Sequence, residues 1–148
     1  MAQSAQLQER INAFPTACRG AGLKVTPQRV AVYSMLVKTT QHPSPEEVYS
    51  EIRKLSPSIS LATVYKILDM FMLKGFIRRV STQDQVSRYD ANLAPHDHLI
   101  CSGCGKIQDI MGDEPQMRQP SGNQTNGFQV VSSEIHYHGF CGDCASVN

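Results

Sequence analysis

The chain has no apolar run of about 18 residues, so no helix in it is expected to span a membrane. It has no basic-then-apolar leader either, which argues against secretion by a signal peptide. Internal repeats and low-complexity tracts are absent, so a repeat architecture is not expected. Cysteine is sparse, five in 148 residues, and four of the five are clustered in pairs. Without a leader the expected compartment is the reducing cytoplasm, where clustered cysteines bind metal more often than they form disulfides. Cys18, the unpaired one, reads as a small core residue in a helical pattern.

Net charge is also nearly absent, at +1, but that total conceals a division. Residues 1–90 carry 12 Lys/Arg against 7 Asp/Glu, and residues 91–148 carry 2 against 6. A basic half joined to an acidic half suggests a polyanion-binding module attached to something else. At 148 residues the chain is one domain or two small ones, and the expected division is 1–90 and 91–148.

The first half reads as helices. Residues 5–20 form one, interrupted or kinked at Pro15, and Gly20 and Gly22 end it. Thr26 caps a second helix with Pro27 at its first position, running to about Thr39. Ser44-Pro45-Glu46-Glu47 has the form of a capping box and starts a third, to about Leu55. Ser60 caps a fourth through about Lys74, whose Leu61, Val64, Tyr65, Leu68, Phe71 and Met72 recur at three- and four-residue steps as a buried stripe. Residues 76–80 and 86–90 flank a polar turn and read as a hairpin. Short helices followed by a hairpin make a winged helix-turn-helix, in which the helix from Ser60 enters a major groove of double-stranded DNA. Thr63, Tyr65 and Lys66 are then candidates for base or backbone contact, and Lys24, Arg29, Arg78, Arg79 and Arg88 for phosphate neutralisation.

Beyond Asp90, strands are expected at 97–101, 106–110 and 128–138. A stretch rich in Gly, Pro, Asn and Gln at 112–127 separates the last two. This is too short for a doubly wound sheet and suits a small antiparallel one, whose edges favour pairing between chains. The overall class is α+β.

Two metal sites are expected in this half. Cys101-x-x-Cys104 and Cys141-x-x-Cys144 are knuckles of the kind that complete a tetrahedral, structural zinc shell. His96 and His98 lie two apart, which on a strand puts both imidazoles on one face. They have no place in a four-sulfur shell and so belong to a second site. Asp90, Asp109 and His42 are candidates to complete it. Such an N/O donor set suits ferrous iron, manganese or zinc. An ion held by His42 and Asp90 together with His96, His98 and Asp109 would bridge the two halves and set the angle of the winged helices.

Residues 22–29, 42–49, 60–65 and 98–109 together resemble the ferric uptake regulator family across nearly the full length. The resemblance implies a homodimer with an N-terminal winged helix and a C-terminal α/β dimerisation domain. It also implies metal-dependent repression at an operator of two-fold symmetry. Its peroxide-responsive repressor branch is the most similar: that branch's three histidines and two aspartates fall on His42, Asp90, His96, His98 and Asp109. The branch further implies that ferrous iron there reacts with peroxide, oxidising His42 or His96 and releasing DNA. The sequence departs from the family in two places. Pro115, Pro120, Gly122 and Gly127 leave room for little more than a turn or two of the helix usual before the last strand. An additional metal site of some members looks incomplete, with Asp97 present but Gln116 and Ser133 where other ligands belong. His136 and His138 are possible substitutes.

Other readings are an iron- or manganese-responsive repressor without peroxide chemistry and, from a different class, a zinc hydrolase or a thiol oxidoreductase. A hydrolase needs an open zinc position and a base in a cleft, and a thiol enzyme needs an exposed knuckle with an acidic cysteine. Commitment of both knuckles to zinc argues for a regulator rather than an enzyme.

Overall fold

A computed structural model describes residues 2–81, 86–111, 122–131 and 133–146. The chain divides into two compact units, Met1–Leu93 and Ala94–Asn148. Among the described residues no helix is long and apolar enough to cross a membrane.

The first unit contains α1 (Ala2–Gly20), α2 (Pro27–Lys38), α3 (Pro45–Leu55), α4 (Leu61–Leu73), β1 (Arg78–Ser81) and β2 (Ser87–Asp90). The helix starts follow local chemistry. The side chains of Thr26, Ser44 and Ser60 accept the amide hydrogens of Arg29, Glu47 and Thr63, and Ser44 with Glu47 forms a complete capping box. α1 and α4 end alike. Gly22 (φ 75°) and Gly75 (φ 71°) take the left-handed turn, while Leu23 N–H bonds back to the carbonyl of Cys18 and Phe76 N–H to that of Phe71.

The interruption considered at Pro15 is absent, and α1 is continuous through it. An interior proline costs about 3 kcal/mol in lost hydrogen bonding and ring clash. Phe14 and Cys18, at 2% and 0% exposure on either side of it, hold both arms of the helix in the core. That core is aromatic. Phe14 stacks on Tyr33 with centroids 3.9 Å apart, and its ring meets Phe71 and Phe76 edge-on, each at 5.3 Å. α4 contributes Val64, Ile67, Leu68 and Phe71. Tyr65, expected on the buried stripe, is 40% exposed, and Ile67 occupies the buried side.

The second unit holds β3 (Asp97–Cys101), β4 (Ile107–Ile110), a one-turn helix α5 (Gly122–Thr125), β5 (His136–Gly139) and a terminal turn of helix α6 (Gly142–Ala145). β3 is central, paired with β4 antiparallel as expected and with β5 parallel. The sheet is therefore mixed rather than antiparallel throughout: a parallel neighbour cannot follow by a tight turn, and β4 lies between β3 and β5 in the chain. The strand expected over 128–138 is shorter than its apolar pattern suggests: among the described residues, pairing covers His136–Gly139. Among the described residues α5 is a single turn. Pro115, Pro120 and Gln116 lie outside the described residues.

Candidate metal centres

The four cysteines of the two knuckles come together. One sulfur from each of Cys101, Cys104, Cys141 and Cys144 lies within 4.8 Å of the others, and none is in a disulfide. Cys104 and Cys141 sulfurs are 3.8 Å apart. A tetrahedral zinc–thiolate shell with bonds of about 2.3 Å has edges of about 3.8 Å, so this spacing fits zinc. The backbone prepares the site. The end of β3 turns back through Gly105 (φ 72°), whose N–H bonds to the carbonyl of Cys101. The amide of Cys141 points at the sulfur of Cys101 at 3.3 Å. This and neighbouring amides bring the Cys101 thiol down to about 6. Hydrogen bonding among the sulfurs pushes Cys144 up to about 12. Four thiols so close resist ionising together unless a cation replaces their protons. Gly103 is fixed by the same crowding: a Cβ there would sit 2.9 Å from the Cys144 sulfur.

Also in the second unit, three donors of the other expected site converge. Register places His98 directly opposite Asp109 across β3 and β4, and alternation puts His96 on the same face as His98. Nε2 of His96 and Nε2 of His98 are 3.1 Å apart, and Asp109 Oδ1 lies 3.4 and 3.6 Å from them. Ligands bonded to one ion at about 2.1 Å lie roughly 3 to 3.4 Å apart, so the triad fits a single cation. Both histidines are buried. Nδ1–H of His96 donates to the carbonyl of Ala94 at 2.8 Å, which leaves the Nε2 lone pair for a metal.

In the first unit, His42 and Asp90 pair with each other. His42 is 2% exposed, and its Nε2 lies 3.8 Å from Asp90 Oδ2. The loop bearing His42 is pinned. Tyr89 N–H bonds to the carbonyl of Pro43, and Arg88 reaches the His42 carbonyl at 3.4 Å and Glu47 at 3.1 Å. His42 adopts φ 50°, an uncommon conformation outside glycine that a fold tolerates only where its surroundings impose it. No sequence signal foretold this strain. Asp90 is oriented by Asn92 N–H at 2.6 Å and by the guanidinium of Arg78 at 3.2 Å, its partner across the hairpin.

The predicted DNA-facing residues all lie in the first unit but differ in freedom. Lys24, Lys66 and Arg79 are exposed. Arg29 donates to the Lys24 carbonyl and lies against Met70, while Arg78 and Arg88 are ion-paired with Asp90 and Glu47. Thr63 shares a hydroxyl hydrogen bond with Ser60, and Tyr65 donates to Glu46 at 2.7 Å. Of the residues considered for a further metal site, Asp97 instead accepts the backbone N–H of Ile135 at 3.0 Å. Ser133 and His138 are exposed.

Capped helices with a hairpin wing, a four-sulfur centre and a His/Asp centre describe a metal-binding regulator of the winged-helix type. The ferric uptake regulator family profile matches residues 20–138, and the chain belongs to that family. It is 32% identical to the peroxide-responsive repressor PerR of Staphylococcus epidermidis over 94% of this chain and 90% of that one. Among solved structures it is similar to the Helicobacter pylori ferric uptake regulator, described as having three functional metal-binding sites. That match has a TM-score of 0.77 and 30% identity over 94% and 93% of the two chains. The Campylobacter jejuni peroxide stress regulator matches with a TM-score of 0.68 and 29% identity over 90% and 97%. The chain is a metal-responsive transcriptional repressor of this family.

Proposed function

We propose that this protein is a cytoplasmic, homodimeric repressor that binds a two-fold-symmetric operator when metal is loaded and releases it on reaction with peroxide. Cys101, Cys104, Cys141 and Cys144 hold structural zinc. His42, Asp90, His96, His98 and Asp109 hold the regulatory ion, ferrous iron or manganese. The first unit is the DNA-binding domain and the second the metal-binding dimerisation domain. The observation that carries the reading is the convergence of His96, His98 and Asp109, three nitrogen and oxygen donors without sulfur, beside a separate sulfur centre. That composition favours ferrous iron and manganese over soft metals.

A bound ferrous ion would supply one-electron chemistry with peroxide. The chain's part is positional. Burial keeps the His42 and His96 rings out of bulk water, and the Ala94 carbonyl fixes which nitrogen of His96 would face the ion. The pinned loop before α3 holds His42, so loss of that ring as a ligand acts on the domain that carries α4. α4 lies in the major groove, with Thr63, Tyr65 and Lys66 toward the DNA. Lys24 and Arg79 meet phosphates, and Arg29, Arg78 and Arg88 support that surface from their ion pairs and hydrogen bonds. The exposed Leu99 and Tyr137, adjacent on β3 and β5, offer apolar surface for the dimer.

The test is DNA binding with iron and with manganese, each before and after peroxide. The proposal expects loss only in the iron form, with one added oxygen on His42 or His96. Equal response of both forms would defeat the proposed iron-dependent peroxide release; no loss in either would leave an iron- or manganese-responsive repressor without peroxide chemistry.

A further inference from the structure

β5 brings a second set of donors to the other flank of His98. The parallel register sets His136 level with His98, and their rings meet edge-on with centroids 5.4 Å apart. Glu134, two residues upstream of His136, reaches its Nε2 with a carboxylate oxygen at 2.8 Å. One donor atom each from His98, Glu134 and His136 lies within 4.8 Å of the others. His98 is fully buried, whereas the side chains of His136 and Glu134 are 22% and 32% exposed, so this flank is open to solvent.

We infer that His98, Glu134 and His136 form a further divalent-cation site, distinct from both the four-sulfur centre and the His/Asp set. Two imidazoles and one carboxylate are a borderline donor set, suited to zinc, cobalt or ferrous iron. Three protein ligands leave a position for water. Nε2 of His98 faces His96 and Asp109, and each ring nitrogen carries at most one ion. Two cations on one imidazole repel, so filling either site weakens the other, reciprocally. The site shares only His98 with the regulatory set proposed above and does not otherwise rest on that reading.

Co2+ titration of the full-length protein with its cysteine-bound zinc in place tests this through the visible absorption of the bound ion. The His96→Asn/Asp109→Asn variant, stripped of two regulatory ligands, should still bind one equivalent. Adding His136→Asn or Glu134→Gln should weaken that equivalent at least tenfold. Retained zinc at the four cysteines shows that each variant is folded. No Co2+ bound in the double variant, or binding unchanged by both further substitutions, overturns the inference. Loss of Mn2+-dependent DNA binding in His96→Asn/Asp109→Asn tests the regulatory reading separately. If that response persists while the His136-dependent equivalent is present, the regulatory reading fails and the site stands.

Discussion

The two units reach order by different means. In the first, sixteen of the described residues form one buried apolar cluster from Phe14 to Ala91. In the second, the buried hydrophobic residues among those described are Ile100, Cys101 and Ile107, and the most deeply buried side chain is an imidazole, His98. Burying a large apolar side chain contributes about 1.5–3 kcal/mol, so the first unit has ample packing and the second has little. What the second has instead is donor atoms gathered at short range. A fold of that kind depends on its cations, and a sensor benefits from placing its metal-dependent part there.

The comparison can be broken most directly by removing zinc. Zinc-finger peptides gain about 10–16 kcal/mol of apparent energy from the ion, comparable to or larger than a small domain's whole stability. Stripping zinc, or Cys101→Ser, should weaken hydrogen-exchange protection over residues 94–148 strongly and leave the first unit protected. Equal loss in both units would contradict the contrast. Phe71→Ala should do the reverse, lowering the first unit's stability by about 3–5 kcal/mol in denaturant titration with zinc retained.

A smaller effect sharpens the role of charge in the second unit. Cys101, lowered to about 6, is a thiolate from about pH 6 upward, below its unfolded value near 9. Its stabilising contribution to the metal-free unit is therefore lost as pH falls from 9 through 6. Zinc binding accordingly displaces no proton from it at pH 7.5 but does at pH 5. Proton release per zinc, measured in buffers of different ionisation enthalpy, should rise by about one across that interval, steepening the loss of affinity by about tenfold per pH unit. Smallest is Ser44→Ala, which removes the capping box and should cost about 1 kcal/mol, read as a fall in the first unit's melting temperature with metal content unchanged.

The same contrast governs what was legible beforehand. Thr26, Ser44 and Ser60 announce their helices because a cap is a contact between residues three apart. The cysteine knuckles were legible because zinc geometry dictates their spacing. Continuity through Pro15 was not, since it depends on packing from other helices. Nor was Ile67 over Tyr65, because both fit a helical stripe and neighbouring helices decide between them. The direction of β5 has no local signature, because its partner β3 lies far back in the sequence. Glu134 was missed, although its place two residues before His136 was a signal that both share a strand face. The φ of His42 has no trace in the letters around it.

The central claim is that one ion draws ligands from both sides of the Leu93–Ala94 boundary. Mn2+ affinity of His42→Ala, followed by electron paramagnetic resonance on zinc-loaded protein, tests it most directly. The account predicts affinity at least tenfold weaker, matching Asp109→Asn. Unchanged Mn2+ affinity in His42→Ala, with Asp109→Asn impaired, would confine the site to the second unit and contradict it.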